Sequence, residues 1–336
     1  RDECRMTSAS PCGVRILGTG SVVPDIIVGN AELAERFDVD EAWIEQRTGI
    51  LERRYCDDDT GTFELQVQAL QKALDDSSLK GSDLSLVICA SVTSEMTCPS
   101  NACRVATEVN AAPAGAFDLV AACSGFVYAM NIADSLVRSG CHETIAVVGC
   151  DAMSKLTDPN ERSMSILFGD AAGAVILQRC DDPEIGCFYQ TMEADAECWP
   201  ALYIPRRQAD VAEGDEATTE IGMLRMRGKE VYKFAVTKFQ EIAEKLLEET
   251  GLSPDDVSQF ICHQSNARII ESAQAKLGLP DDKVYKNISK YGNSSAGAAA
   301  LCFDELWQDG KINRGDTIVL LAFGGGLTWA SSAWRI

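Results

Sequence analysis

Short apolar runs alternate with helical patterns along most of this chain. Leu84 to Val92, Ala114 to Ala122, Thr144 to Val148, Ala174 to Gln178, Gln259 to Cys262 and Asp316 to Phe323 are mostly apolar and bounded by glycine or polar turns. Such runs predict strands buried on both faces of a sheet. Val14 to Gly20 reads as a further strand, Ser165 to Gly169 as another, and Gly324-Gly325-Gly326 turns the 316–323 run into a last one. Helical spacing marks Thr62 to Ser77, Cys103 to Val109, Lys229 to Glu249 and Asn266 to Leu277. Asn30 to Phe37 reads as a helix capped by Asn30. Phe126, Val127, Met130, Ile132, Ala133, Leu136 and Val137 share one face of another helix, which Gly140 stops. The alternation predicts an α/β fold with helices on both faces of its sheets. Residues 1–12 read as a disordered lead-in, and Glu193 to Glu220 as an acidic, linker-like stretch. In residues 13–184 and again in 185–336 a strand end presents a reactive side chain, Cys123 or His263. That predicts two similar halves facing each other.

Composition narrows the classes. With 336 residues there is room for one large or two medium domains. A net charge of −21 argues against nucleic acid and against an anionic membrane as partners. The 14 cysteines are scattered without a Cys-x-x-Cys pair, and His142 and His263 are the only histidines, so clustered ligands for a metal or an iron–sulfur centre are absent. The cysteines read as small core residues of a reducing compartment, cytoplasm or plastid stroma. No apolar run reaches the ~18 residues that span a bilayer, and no secretory signal opens the chain. Arg1 in place of Met suggests a processed or trimmed end. Gly18-Thr19-Gly20 lacks the third glycine of a dinucleotide-binding fingerprint.

The chemistry starts at Leu119-Val120-Ala121-Ala122-Cys123-Ser124-Gly125-Phe126, which places Cys123 at a strand-to-helix turn. The helix dipole and free N–H groups there favour a thiolate. His263 stands at a strand end, the usual place for a functional side chain in such sheets, whereas His142 reads as a surface residue. Asn293 sits in a turn between Gly292 and Ser294, and the triple glycine allows backbone N–H groups to approach a substrate oxygen. Singly, these are a core cysteine, a structural histidine, a turn asparagine and a tight hairpin. Together they supply the parts for thioester chemistry.

Six segments in order carry a resemblance: Trp43-Ile44-Glu45-Gln46-Arg47-Thr48-Gly49-Ile50, Ala122-Cys123-Ser124-Gly125-Phe126, Phe168-Gly169-Asp170, His263-Gln264-Ser265-Asn266, Tyr291-Gly292-Asn293, and Phe323-Gly324-Gly325-Gly326-Leu327-Thr328-Trp329. From Ile16 to Arg335 the chain resembles the β-ketoacyl-acyl carrier protein synthase III family. The resemblance implies a thiolase-like fold, with two βα halves in an α-β-α-β-α core, acting as a homodimer. It implies that Cys123 attacks an acyl-CoA primer and that the N–H groups of Cys123 and Gly325 hold the oxyanion. His263 and Asn293 would then assist decarboxylation of malonyl-acyl carrier protein, with no metal or redox cofactor. By the same correspondence Trp43, Arg47 and Arg162 contact the nucleotide end of CoA, and Thr48 and Asn266 line the pantetheine arm. Basic residues crowd Arg225, Arg227, Lys229, Lys233 and Lys238, with Arg268 and Lys276 on a later helix. Lys229, Lys233, Arg268 and Lys276 are the expected docking site for an acidic carrier protein. The chain departs from the family at Ser265, usually alanine, at Lys229, asparagine in some members, and at Cys98. In acetyl-specific members Cys98 is a phenylalanine that closes the partner's primer pocket, so a roomier pocket for longer or branched primers is expected. The alternative reading is an acyltransferase of secondary metabolism with the same Cys–His–Asn set; a cysteine hydrolase has no use for the CoA-contacting motifs, the intact Cys123 argues against a non-catalytic chain-length partner, and the scattered cysteines argue against a metal or redox protein.

Overall fold

A computed structural model describes residues 11–215 and 220–336. The chain opens with β1 (Gly13–Val22), β2 (Ile26–Gly29), α1 (Asn30–Phe37), α2 (Glu41–Thr48) and β3 (Glu52–Tyr55). There follow α3 (Thr62–Ser77), β4 (Leu86–Ala90), α4 (Asn101–Glu108), β5 (Gly115–Leu119), α5 (Gly125–Arg138), β6 (Thr144–Ala152), α6 (Arg162–Ser165) and β7 (Asp170–Cys180). The rest comprises β8 (Gly186–Ala194), β9 (Leu202–Tyr203), β10 (Arg225–Met226), α7 (Gly228–Thr250), β11 (Gln259–Cys262), α8 (Ala267–Leu277), α9 (Ile288–Tyr291), α10 (Ala296–Gln308), β12 (Thr317–Gly324) and β13 (Thr328–Arg335).

Two sheets share one plan. The first has the order β1-β7-β6-β4-β5, the second β8-β13-β12-β11. Read in these orders, the first two pairings of each sheet are antiparallel and the remaining ones, β6-β4 and β4-β5 in the first and β12-β11 in the second, are parallel. A single parallel bridge from Phe260 to Val284 stands where β5 stands in the first sheet. Side chains alternate across each strand, and this explains the unbroken apolar runs. In β6, Ile145 and Val147 face inward while Ala146, Val148 and Cys150 face the helices α3 and α4. In β12, Ile318, Leu320 and Ala322 face inward while Val319, Leu321 and Phe323 face α7 and α8. The inward faces of both sheets close on α5 and α10, through Phe126, Val127 and Met130 on one and Ala299, Ala300 and Phe303 on the other. The result is five layers, α-β-α-β-α, with two central helices whose N-termini lie together.

Four expectations change. Gly29, not Asn30, caps α1, because the Asn30 amide is spent on Ile50 O at 2.7 Å and on the buried Arg53 guanidinium at 2.9 Å. Ser165 to Gly169 is not a sheet strand: Glu161 caps the short α6 through Ser163 N, and Phe168 forms an isolated parallel bridge with Asn293. Of the 193–220 stretch, the described residues 193–215 are no linker. They finish β8, form β9, and bury Ala201. Residues 1–10 of the expected lead-in lie outside the described residues, but Cys12 is buried and its carbonyl accepts from Arg138 at 2.8 Å.

Candidate active site

Cys123, His263 and Asn293 come from three junctions, β5–α5, β11–α8 and α9–α10, and line the same cavity of about 320 Å³. Their relative exposures are 7%, 1% and 5%, so the group is shielded from bulk water. Cys123 lies in a one-turn segment, Ala122–Ser124, that leads directly into α5. Ala122 holds φ at +47°, a left-handed conformation in a residue other than glycine. The Ser124 hydroxyl donates to Ala121 O at 2.7 Å and ties the turn shut. The end of β12 lies flat on this turn. A Cβ on Gly324 would come within 2.7 Å of Cys123 N and 2.9 Å of Ser124 N, so only glycine lets the strand approach. Gly325 faces a different space, and Thr328 Oγ1 holds its carbonyl at 3.1 Å.

Burial pushes the Cys123 thiol up to about 12. This corrects the expected thiolate. A helix terminus favours an anion by about 0.3–2 kcal/mol, and desolvation of a thiolate exceeds that when water is excluded. The Cys123 side chain is therefore a neutral thiol near pH 7.

His263 extends the β11–β12 ladder by one residue, its N–H donating to Leu321 O at 2.8 Å. Its ring packs edge-on against Phe323, with centroids 5.5 Å apart at 80°. Burial lowers its pKa from 6.5 to about 3, so the imidazole is neutral near pH 7. The Asn293 backbone is pinned on both sides, N to Leu167 O at 2.8 Å and O from Gly169 N at 3.0 Å. Its Oδ1 accepts from Ser295 N at 2.9 Å, which leaves the Nδ2 group as the free donor. Two neutral donors thus share the cavity with the thiol.

The cavity lining also contains Trp43, Arg47, Thr48, Arg162 and Asn266, beside Tyr232 and Ile269. Arg47 and Arg162 both stack near the Trp43 ring, at 4.6 and 5.2 Å from its centre. Asp40 caps α2 through Ala42 N at 2.9 Å. The Thr48 hydroxyl is turned onto Ile44 O at 2.7 Å. Asn266 caps α8 and donates Nδ2 to Arg47 O at 3.0 Å, so it joins α2 to α8. Gly49 seals that joint: φ is +72°, and a Cβ would lie 2.3 Å from Ala267 Cβ.

A second cavity of about 820 Å³ also reaches Cys123 and is lined by Met96, Phe117, Leu202, Ile204 and Ser295 among others. Cys98 is exposed and is not part of that lining, although Met96, Thr97 and Ser100 are. Of the basic cluster, Lys229 and Lys233 are exposed on α7, and Arg268 and Lys276 on α8. Lys276 donates to Gln240 at 2.7 Å, and Arg268 lies 5.7 Å from the Tyr232 ring centre. Arg225 does not belong to that surface; it is buried and donates to Asp215 O at 3.1 Å. Arg227 pairs with Asp215 and Lys238 with Glu241. Among the described residues no group of three His, Cys, Asp or Glu could hold a metal ion, no disulfide joins the cysteines, and no helix is long and apolar enough to cross a membrane.

Three contributors escaped the sequence reading. Leu202 comes from the stretch read as a linker. Phe323 packs against His263 although it reads as a core strand residue. Asp151, at the end of β6, is fully buried and accepts from Ser91 Oγ at 2.9 Å, Val92 N at 2.8 Å and Ala296 N at 3.1 Å. Its only sequence signal is a carboxylate that ends an apolar strand.

Comparisons with known proteins agree with this layout. Residues 117–196 match the family model described as 3-oxoacyl-[acyl-carrier-protein] synthase III, and residues 247–336 match its C-terminal counterpart. The chain is 41% identical to a β-ketoacyl-[acyl-carrier-protein] synthase III of Caldanaerobacter subterraneus over 94% of this chain and 96% of that protein. Its fold superposes on the crystal structure of 3-oxoacyl-[acyl-carrier-protein] synthase III from Aquifex aeolicus with a TM-score of 0.88 and 38% identity, covering 96% of this chain and all of the other. A priming β-ketosynthase from the R1128 polyketide biosynthetic pathway superposes equally well, TM-score 0.88 at 34% identity, over 96% of each chain. The thiolase-like core and the near-complete match at these identities show that the chain belongs to the 3-oxoacyl-[acyl-carrier-protein] synthase III family of condensing acyltransferases.

Proposed function

We propose that the chain condenses an acyl-CoA primer with malonyl-acyl carrier protein in two half-reactions through an acyl-Cys123 intermediate, opening fatty acid synthesis. The observation that carries this reading is the convergence of a buried thiol with two neutral hydrogen-bond donors in one cavity whose outer lining includes Trp43, Arg47 and Arg162. In the first half-reaction the Cys123 sulfur adds to the thioester carbonyl. The oxyanion is held by the N–H groups of Cys123 and Gly325, the C–S bond to CoA breaks, and CoA leaves. In the second, the carboxylate of malonyl-carrier leaves as carbon dioxide and its electron pair becomes an enolate. The enolate oxygen bears the new charge. His263 and Asn293 Nδ2 donate to it in a site walled by Phe168, Leu202, Phe323 and Leu327, where neutral donors count for most. The carbanion then attacks the acyl carbonyl and Cys123 leaves as its thiolate. The residues alone supply this chemistry, so the reading calls for no metal or redox cofactor. CoA would thread past Trp43, Arg47, Arg162, Thr48 and Asn266, and the carrier would dock on Lys229, Lys233, Arg268 and Lys276.

We also propose a homodimer. β5 is the edge of its sheet, and Phe117 on it and Val120 just after it are exposed, the latter at 76%, beside the larger cavity. A second copy would cover them and bring its Cys98 to that cavity, whose volume suits primers longer or more branched than acetyl. A second reading, the same condensation on a carrier of secondary metabolism, draws on the likeness to the R1128 enzyme.

The test is product formation from acetyl-, butyryl- or isobutyryl-CoA with malonyl-carrier, read by mass spectrometry of the carrier. A 3-ketoacyl-carrier supports the proposal, and preference for a fatty acid or a polyketide carrier separates its two forms. Absence of product with every pair rejects it. A steep preference for acetyl-CoA would reject the roomy pocket alone.

A further inference from the structure

The Asn293 backbone is pinned by Leu167 and Gly169, but its side-chain amide is turned by a separate bond, from Ser295 N to Oδ1 at 2.9 Å. The direction of that N–H depends on Ser295, which holds φ at +52° and ψ at −122°. Gly297 N donates to Ser294 O at 3.0 Å, so Ser295 takes the first central position of a type II′ turn, ordinarily the place of glycine. A serine resists this conformation, and its neighbours must hold it there. On one side stands the start of α10, which cannot give: a Cβ on Gly297 would clash with the Ala171 carbonyl of β7. On the other stands Asp151. Ala296, the first residue of α10, donates its N–H to Asp151 Oδ2 at 3.1 Å. That peptide is the one ψ of Ser295 turns, so the carboxylate fixes ψ. Asp151 is itself fixed. It is 0% exposed, and its Oδ1 accepts from Ser91 Oγ at 2.9 Å, Val92 N at 2.8 Å, Thr93 N at 3.2 Å and Thr93 Oγ1 at 3.0 Å.

We propose that Asp151 is a positioning residue for Asn293: its carboxylate holds Ser295 in the strained turn that aims the Asn293 amide at the enolate oxygen. The inference rests on the donor role given to Asn293 above. Without the bond to Ala296 N, Ser295 relaxes toward negative φ. Because α10 is held against β7, the 294–295 peptide moves instead, and its N–H swings off Asn293 Oδ1. Nδ2 then no longer meets the oxygen that gains charge during decarboxylation. The Cys123 turn is tied by a different bond, Ser124 Oγ to Ala121 O, so acylation depends far less on this tether. Asp151→Asn removes the tether with the shape unchanged. Its side-chain oxygen stays with the four donors from Ser91, Val92 and Thr93, and its amide nitrogen meets the Ala296 N–H, donor against donor.

The two half-reactions, measured apart, test the tether: acyl-Cys123 mass after mixing with butyryl-CoA, and carbon dioxide released from malonyl-acyl carrier protein. Asp151→Asn should slow decarboxylation by roughly 100-fold, the cost of a small misplacement, with much less effect on acylation. Added to Asn293→Ala, it should cost no further decarboxylation, because it acts through that amide. Ser295→Gly in the Asp151→Asn background should restore decarboxylation, since glycine takes the turn without strain. That pair also carries the test if Asp151→Asn alone fails to fold; a pair that fails to fold, or decarboxylates as poorly as Asn293→Ala, overturns the proposal. So does Asp151→Asn decarboxylating at the wild-type rate, losing both half-reactions equally, or adding its loss to that of Asn293→Ala. Asn293→Ala decarboxylating at the wild-type rate, or a wild type that releases no carbon dioxide, removes the donor role of Asn293 and the tether with it.

Discussion

At Cys123 a helix terminus and desolvation act on the same sulfur in opposite directions, and desolvation prevails. The motif around Cys123 marks the candidate nucleophile, but the burial of that side chain comes from β12 and α10, far along the chain, so its protonation state was not legible there. The same burial keeps His263 neutral, and this has a measurable cost. In the unfolded chain the imidazole binds a proton below about pH 6.5, while the folded one resists until about 3. Between those values the unfolded state binds more protons, so stability is full above 6.5 and falls as the pH drops. Urea titrations from pH 7 to pH 4 should show His263→Gln losing up to about 1.4 kcal/mol less per pH unit than the wild type; parallel curves would contradict this. Asn293→Ala should still form the acyl-enzyme but lose roughly 10²–10³ in malonyl-carrier decarboxylation. Equal loss in both half-reactions, measured by acyl mass and by carbon dioxide release, would remove the donor role.

Elements were easier to read than single side chains. Strands buried on both faces gave continuous apolar runs, and α5, α7 and α8 kept one apolar face each. The failures share a cause: segments without periodicity were assigned by composition. The 165–169 segment is apolar yet serves to pin Asn293, and the acidic 193–220 stretch carries Leu202 into the site. At the α2–α8 joint the fit is close enough to predict a defect. Gly49→Ala would force a Cβ against Ala267 and into a left-handed backbone. It should cost about 1–3 kcal/mol and raise KM for acyl-CoA through displacement of Arg47 and Asn266. An unchanged melting temperature and KM would show that the joint is slack.

For the whole molecule, the repeated strand order explains how two halves with no obvious repeat residue by residue build one site. The N-termini of the equivalent helices α5 and α10 bring Cys123 and Asn293 together, and β11 adds His263. Charge also acts at this scale. On a chain of net charge −21, the exposed Lys233 and Arg268 stand out. Lys233→Glu with Arg268→Glu should raise KM for malonyl-carrier at least about tenfold at low salt, less at high salt, with acylation by acyl-CoA unaltered. A loss of both would place these residues elsewhere in the cycle. Sedimentation equilibrium should give a dimer that Val120→Asp weakens, and a monomeric wild type would contradict the β5 interface.

The central claim is that Cys123 carries the acyl group, and intact-protein mass spectrometry tests it most directly. After mixing with acetyl-, butyryl- or isobutyryl-CoA, the wild type should gain the mass of one acyl group and Cys123→Ala none. No adduct from any of the three, or an adduct that persists in the variant, would contradict the account.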